Sequence, residues 1–370
     1  MGIPKLTHNL QGCGGRISLM ALYEKDSSCR ESKIASGIAC NGKINSIGID
    51  GAIFLHGHTN CEDSIYDNTT KISSVILHYV KSICNFFAHY GRNNGEEGRK
   101  ENVKVLFTID GPPPVKKNRK ERDDNKDKKL GYGNMSFDEK RQLHLSVIER
   151  LKMILHHDRY DFELQSNHDI EEREEGEIEL IKHAKEQGKE TINVILSSDS
   201  DVTAMVILNK MINVVIVTPT CRNDCPYISN LKSISIGLGM SYNQLLHYVI
   251  LHFIFFGSDY NYGLMNCPTS SKKALLYEES LNESFDIDRI GRRCTRTKVI
   301  NSVVNYDNEE IKFLKKLLII EGLCSILYYS SMGKMKHLLT ENVSPLIYLN
   351  HDKMMGNDLN IRTLVALINF

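Results

Sequence analysis

Acidic residues recur in this 370-residue chain where short apolar runs stop. Ile44-Asn45-Ser46-Ile47-Gly48-Ile49 stops at Asp50-Gly51, Val103 to Ile109 stops at Asp110-Gly111-Pro112, and Ile192 to Leu196 stops at Ser197-Ser198-Asp199-Ser200-Asp201. Two further acidic elements accompany them: Glu177-Ile178-Glu179, and Asp259 after the apolar run Val249 to Phe256. Carboxylates that meet in one cleft repel one another, and a protein tolerates that only where cations neutralise the charge. Oxygen donors with few nearby imidazoles or thiolates select Mg²⁺ over zinc, with Mn²⁺ able to substitute. Two such ions about 4 Å apart activate water and stabilise a leaving oxygen, which is the chemistry of phosphodiester hydrolysis. Each acid alone has a blander reading, because Asp before a helix is commonly an N-cap. Capping, however, does not require three successive strands to end in Asp.

The runs are short, β-branched and almost continuously apolar, as buried parallel strands are. Val214 to Val217, ending at Thr218-Pro219, predicts a fourth, and Ser233-Ile234-Ser235-Ile236 a fifth. Helical periodicity fills the intervals over Ile72 to Tyr90 and Leu143 to Leu155, and Glu177-Ile178-Glu179 opens a helix leading into the Asp199 strand. Strands alternating with helices predict an α/β fold with a mostly parallel central sheet flanked by helices. Ligands of such sheets sit outside the carboxyl ends of the strands, where the acids lie. Asp199 and Asp201, two apart in extended chain, would point to one side and share a cation.

Residues 112–136 interrupt the pattern with three prolines, then Lys116, Lys117, Arg119, Lys120 and Arg122, then Gly131-Tyr132-Gly133, a composition that cannot build a core. Beyond about residue 260 helical patterns dominate, notably Glu309 to Tyr329. The expected organisation is an N-terminal part of one domain (1–111), a basic loop or arch (112–136), an internal part (137–265) and a helical C-terminal region (266–370).

Lys plus Arg balances Asp plus Glu at 46 each, so no global basic field advertises a nucleic-acid partner, and local patches must hold one. Ten cysteines without regular spacing, and no apolar leader, point to a reduced intracellular compartment, nucleus or cytoplasm. The longest apolar stretches are too short or interrupted to span a bilayer, so no membrane partner is expected. Cys221 and Cys225 lack a second pair for zinc, and His156-His157 reads as a helix C-terminus. Tyr132 is the one arguable base-stacking ring near the basic loop.

Taken in order, the motifs resemble the flap endonuclease / XPG superfamily of 5′ nucleases, a PIN-like fold, with features shared by XRN-type 5′→3′ exoribonucleases. Met1-Gly2-Ile3-Pro4-Lys5-Leu6 resembles the opening of that family. Ile47-Gly48-Ile49-Asp50-Gly51 and Phe107-Thr108-Ile109-Asp110-Gly111 are similar to its first two catalytic strands. Gly176-Glu177-Ile178-Glu179 resembles its paired-glutamate helix, Ser198-Asp199-Ser200-Asp201 its D-x-D strand end and Gly257-Ser258-Asp259-Tyr260 its last acid. The resemblance covers roughly residues 1–265. It implies two Mg²⁺ ions, Asp50, Asp110, Glu177 and Glu179 round one and Asp199, Asp201 and Asp259 round the other. It also implies a scissile-phosphate contact for Lys117, a place beside the site for Gly2, and phosphate contacts from Lys116, Arg119, Lys120 and Arg122.

Residues Gly263 to Ala274 lack the repeated glycines of the family's duplex-gripping hairpin, and the C-terminus lacks a clamp-binding box. The implied activity is therefore a structure-specific, divalent-metal-dependent 5′ nuclease on branched or 5′-ended DNA, in replication and repair, acting as a monomer. A 5′→3′ exonuclease on RNA and an inactive nucleic-acid-binding scaffold stand beside it.

Overall fold

The computed structural model describes residues 6, 10, 17–18, 38, 43–90, 100–111, 132–167, 174–188, 191–219, 226–261, 270–281, 284–285, 322–334 and 359–360. Within them the strands β1 (Ile17–Ser18), β2 (Ile44–Asp50), β3 (Glu101–Thr108), β4 (Tyr160–Ser166), β5 (Ile192–Leu196), β6 (Val214–Thr218) and β7 (Tyr227–Asn230) form one sheet in the order β1-β7-β6-β5-β2-β3-β4. From β6 to β4 every pairing is parallel, while β7 runs antiparallel to both its neighbours. A small antiparallel pair, β8 (Ser284–Phe285) and β9 (Leu359–Asn360), stands apart.

Alternation along the strands divides the core between the two faces. Val194, Leu196, Val215 and Val217 point to one side, where α1 (Gly51–His58), α2 (Ile65–Tyr90) and α3 (Phe137–Ile154) cover them. Ile195, Val214 and Ile216 point to the other, under α4 (Gly176–Glu186), α5 (Ser200–Leu208), α6 (Leu231–Leu238) and α7 (Tyr242–Phe256). The helix α8 (Ser270–Ser280) and the helical residues 322–330 extend this second layer. The fold is thus the α/β layering expected, with the chain reversing its direction of travel across the sheet between β2 and β5. In open parallel sheets such a reversal is where ligands bind, outside the carboxyl ends of the two strands.

Two expectations need correction. Ser233 to Ile236 is helix, not strand, because Asn230 and Ser233 form a reciprocal capping box that starts α6. Its alternation is misleading, since Ile234 is buried and Ile236 half exposed. Asp199 and Asp201 do not lie together on one extended segment either. Asp199 is the N-cap of α5 and Asp201 stands in that helix's first turn, its amide donating to Asp199 Oδ1 at 3.0 Å. Strand β4 has no counterpart in the expected set, because at the sheet edge its sequence Tyr-Asp-Phe-Glu-Leu-Gln-Ser is half polar. No helix among the described residues is long and apolar enough to cross a membrane.

Candidate active site

Asp50 is the last residue of β2 and the N-cap position of α1, almost wholly buried at 4% exposure. Burial first, then the charges of Asp110 and Asp199, push its carboxyl up to about 7. Ser197 offsets part of that by donating its hydroxyl to Asp50 Oδ2 at 2.9 Å, while Ser197 Oγ itself accepts the Asp199 amide at 3.0 Å. One hydroxyl therefore ties the ends of adjacent strands β2 and β5.

Asp110 lies two residues past β3 and is exposed. Its placement is set by the backbone on either side. Asn167 accepts the Ile109 amide and donates to the Ile109 carbonyl, both at 2.8 Å, and the Gly111 amide donates to the Glu174 carbonyl at 2.8 Å. Asp110 Oδ1 accepts the Gly176 amide at 3.0 Å, at the positive end of α4. A Cβ at Gly176 would lie 3.0 Å from both Asp110 Oδ1 and Thr108 Oγ1, so a side chain there would have to displace these two groups by a few tenths of an ångström.

The acids of α4 divide. Glu177 is buried, and its charge acts on Tyr260 and Tyr328. Glu179 is half-buried and faces Lys182 Nζ at 3.9 Å, a lysine that also holds Glu174 at 2.5 Å. Burial raises the Glu179 carboxyl, Lys182 lowers it, and the carboxylates that act on it most are Glu174 and Glu186. Glu175, absent from the sequence-based set, is buried beneath a hydrogen bond from the Tyr260 hydroxyl.

Asp201 is 2% exposed, and burial followed by the charges of Asp199 and Asp259 raises its carboxyl well above the ordinary range. The hydroxyl of Tyr329, from the helical residues 322–330, donates to its Oδ2. Asp259 is buried in the turn after α7, where the Ser258 hydroxyl donates to Asn261 Oδ1 at 2.6 Å and accepts the Tyr260 amide at 3.2 Å.

The structure thus brings Asp50, Asp110, Asp199, Asp201 and Asp259 into one electrostatic string that runs through Asp199. Glu177 is buried at the tyrosines that abut this string, and Glu179 is turned toward Lys182. Among the described residues, no three His, Cys, Asp or Glu side chains form a closed cage for an ion as they stand. The donors are nonetheless all carboxylate oxygens, three of them (Asp50, Asp201 and Asp259) buried beside like charges, which suits a hard divalent cation. Gly2, Lys116, Lys117, Arg119, Lys120, Arg122 and the pair Cys221 and Cys225 lie outside the described residues.

Tyr132 packs edge-on against His56 at 4.7 Å and stacks on His144 at 5.5 Å, with its hydroxyl bonded to the His144 ring. His156 turns its Nδ1 to the Ile154 carbonyl at 2.7 Å, closing the end of α3. Ser197, Asn167, Glu175 and Tyr329 escape a reading by sequence. Ser197 is visible only as a hydroxyl two residues before Asp199, and nothing in the sequence singles out the other three.

No family model matches the chain, and no curated protein matches it. Solved structures do. The catalytic core of Rad2 in complex with DNA substrate (complex II) aligns at 15% identity over 96% of this chain and 94% of that chain, with a TM-score of 0.44. Flap endonuclease-1 from Methanococcus jannaschii aligns at 16% identity over 82% of this chain and 93% of that chain, with a TM-score of 0.36.

Proposed function

We propose that this protein is a divalent-metal-dependent, structure-specific 5′ nuclease that hydrolyses phosphodiester bonds in branched or 5′-ended DNA. The observation that carries the reading is that Asp50 lies within reach of the charges of Asp110 and Asp199, and Asp201 within reach of those of Asp199 and Asp259, although these residues come from separate parts of the chain. A scaffold has no use for buried carboxylates such as Asp50 and Asp201 held beside further negative charges.

Asp50, Asp110, Asp199, Asp201 and Asp259 would hold Mg²⁺, with Glu177 beside them. Bound there, the ions would supply a water of lowered pKa and stabilise charge on the leaving oxygen. The chain's own part is orientation. Ser197 fixes the Asp50 carboxylate, the α4 N-terminus fixes Asp110, and the buried floor of β2 and β5 limits water around them. Lys117 would meet the scissile phosphate, and Lys116, Arg119, Lys120 and Arg122 would grip the flanking backbone with strong salt dependence.

The test is a substrate panel with and without Mg²⁺, set against Asp199→Asn. Cation-dependent cleavage of 5′-flap DNA, abolished by D199N with substrate binding retained, is the expected result. Preference for 5′-monophosphate RNA over matched flap DNA would move the substrate assignment to RNA. Cleavage of nothing, or equal turnover by D199N, would overturn the reading.

A further inference from the structure

We propose that Tyr329 is a positioning residue for the acid string: its hydroxyl fixes the Asp201 carboxylate in the orientation that receives a divalent cation. The inference rests on the reading of the acids as cation ligands, and it adds a residue outside the part of the chain that carries the family motifs.

Three observations support it. Tyr329 and Asp201 are both buried, at 0% and 2% exposure, and the hydroxyl donates directly to Asp201 Oδ2. The ring is wedged between Phe253, Tyr328 and Tyr260 at centroid distances of 5.4, 5.5 and 5.6 Å, so it has no room to swing away. The backbone that carries it is seated on α7 as well: a Cβ at Gly322 would stand 3.4 Å from Ile254 Cα and 3.5 Å from Asn261 Nδ2.

A rigid ring on a seated helix gives the hydroxyl one position. A carboxylate oxygen that accepts from that hydroxyl has its direction set by the ring. Without that donor the buried Asp201 oxygen loses one of the partners that hold its orientation. Cation affinity, rather than nucleic-acid affinity, is then the quantity that Tyr329 controls.

The experiment uses the full chain and Mn²⁺ as the probe, titrated without nucleic acid and followed by water-proton relaxation. Tyr329→Phe keeps the ring and removes the donor. It should weaken Mn²⁺ binding by about 10- to 100-fold, the usual effect of losing a partner of a metal ligand. Cleavage of 5′-flap DNA should fall in step at limiting Mn²⁺ and recover toward wild type at saturating Mn²⁺, with KM for DNA unchanged. Tyr328→Phe, in the same aromatic cluster, should bind Mn²⁺ as wild type does. Should Y329F be unstable, the rise in melting temperature on adding Mn²⁺ reads the same affinity from the folded fraction. Wild-type Mn²⁺ affinity in Y329F, or an equal loss in Y328F, would overturn the role of the hydroxyl while leaving the nuclease reading intact. A wild-type chain that binds no Mn²⁺ would overturn both.

Discussion

Ser197 Oγ lies 2.9 Å from Asp50 Oδ2, joining residues 147 positions apart. The bond is buried, and its hydroxyl also receives the Asp199 amide. Ser197→Ala should therefore leave the buried Asp50 oxygen short of a partner and cost roughly 1–3 kcal/mol. It should also raise the Asp50 carboxyl further, because the lost bond is one that holds it down. Urea denaturation checks the first effect, and carboxyl titration by NMR checks the second.

The Asp50 shift has a definite consequence for stability. Folded Asp50 gives up its proton at about 7 against an ordinary 3.8, so between those values the native state binds more protons than the unfolded one. Stability contributed by this group is present below the lower value and is lost as pH rises toward the higher. Asp201 moves in the same direction and adds to the slope. In cation-free buffer, Asp50→Asn should gain on wild type as pH is raised across this window. A constant difference in denaturation midpoint would contradict the assignment.

Asn167 serves both polar groups of the Ile109 backbone, just before Asp110. Asn167→Ala should destabilise the fold by about 1–3 kcal/mol for each group left buried and unpaired. Because it holds the approach to Asp110 and not a substrate contact, kcat should fall while KM for nucleic acid changes little. Steady-state kinetics on flap DNA decide the point.

Glu179 has Lys182 as its nearest opposite charge, whereas Asp199 acts on both Asp50 and Asp201. Glu179→Gln should consequently reduce cleavage and Mn²⁺ affinity far less than Asp199→Asn. Equal losses would mean that Glu179 turns from Lys182 into the acid string when cations bind.

How much of this could be read beforehand depends on what each element is made of. Strands β5 and β6 are legible because both their faces are covered, so their sequences are nearly continuous in apolar residues, while β2 and β3 are marked by apolar runs that lead into an acid. Edge strand β4 is hidden by its exposed polar half. The alternation Ser233 to Ile236 is deceptive because a local capping box outweighs a two-residue period. Asp50 and Asp110 stand out because the ends of their strands are marked in the sequence. Their supports could not: Asn167, Ser197 and Tyr329 act through contacts across 58, 147 and 128 residues that no local pattern announces.

The sheet order also governs when the molecule can take shape. Strand β2 is paired on one side by β3 soon after it in the chain, but its other side waits for β5, and Ser46 meets Asn193 only across 147 residues. Closing so long a loop comes late and slowly. During synthesis, the strand that ends in Asp50 must therefore keep an open, apolar edge until nearly two hundred residues have been made, and nascent chains are most exposed to mispairing with one another in that interval.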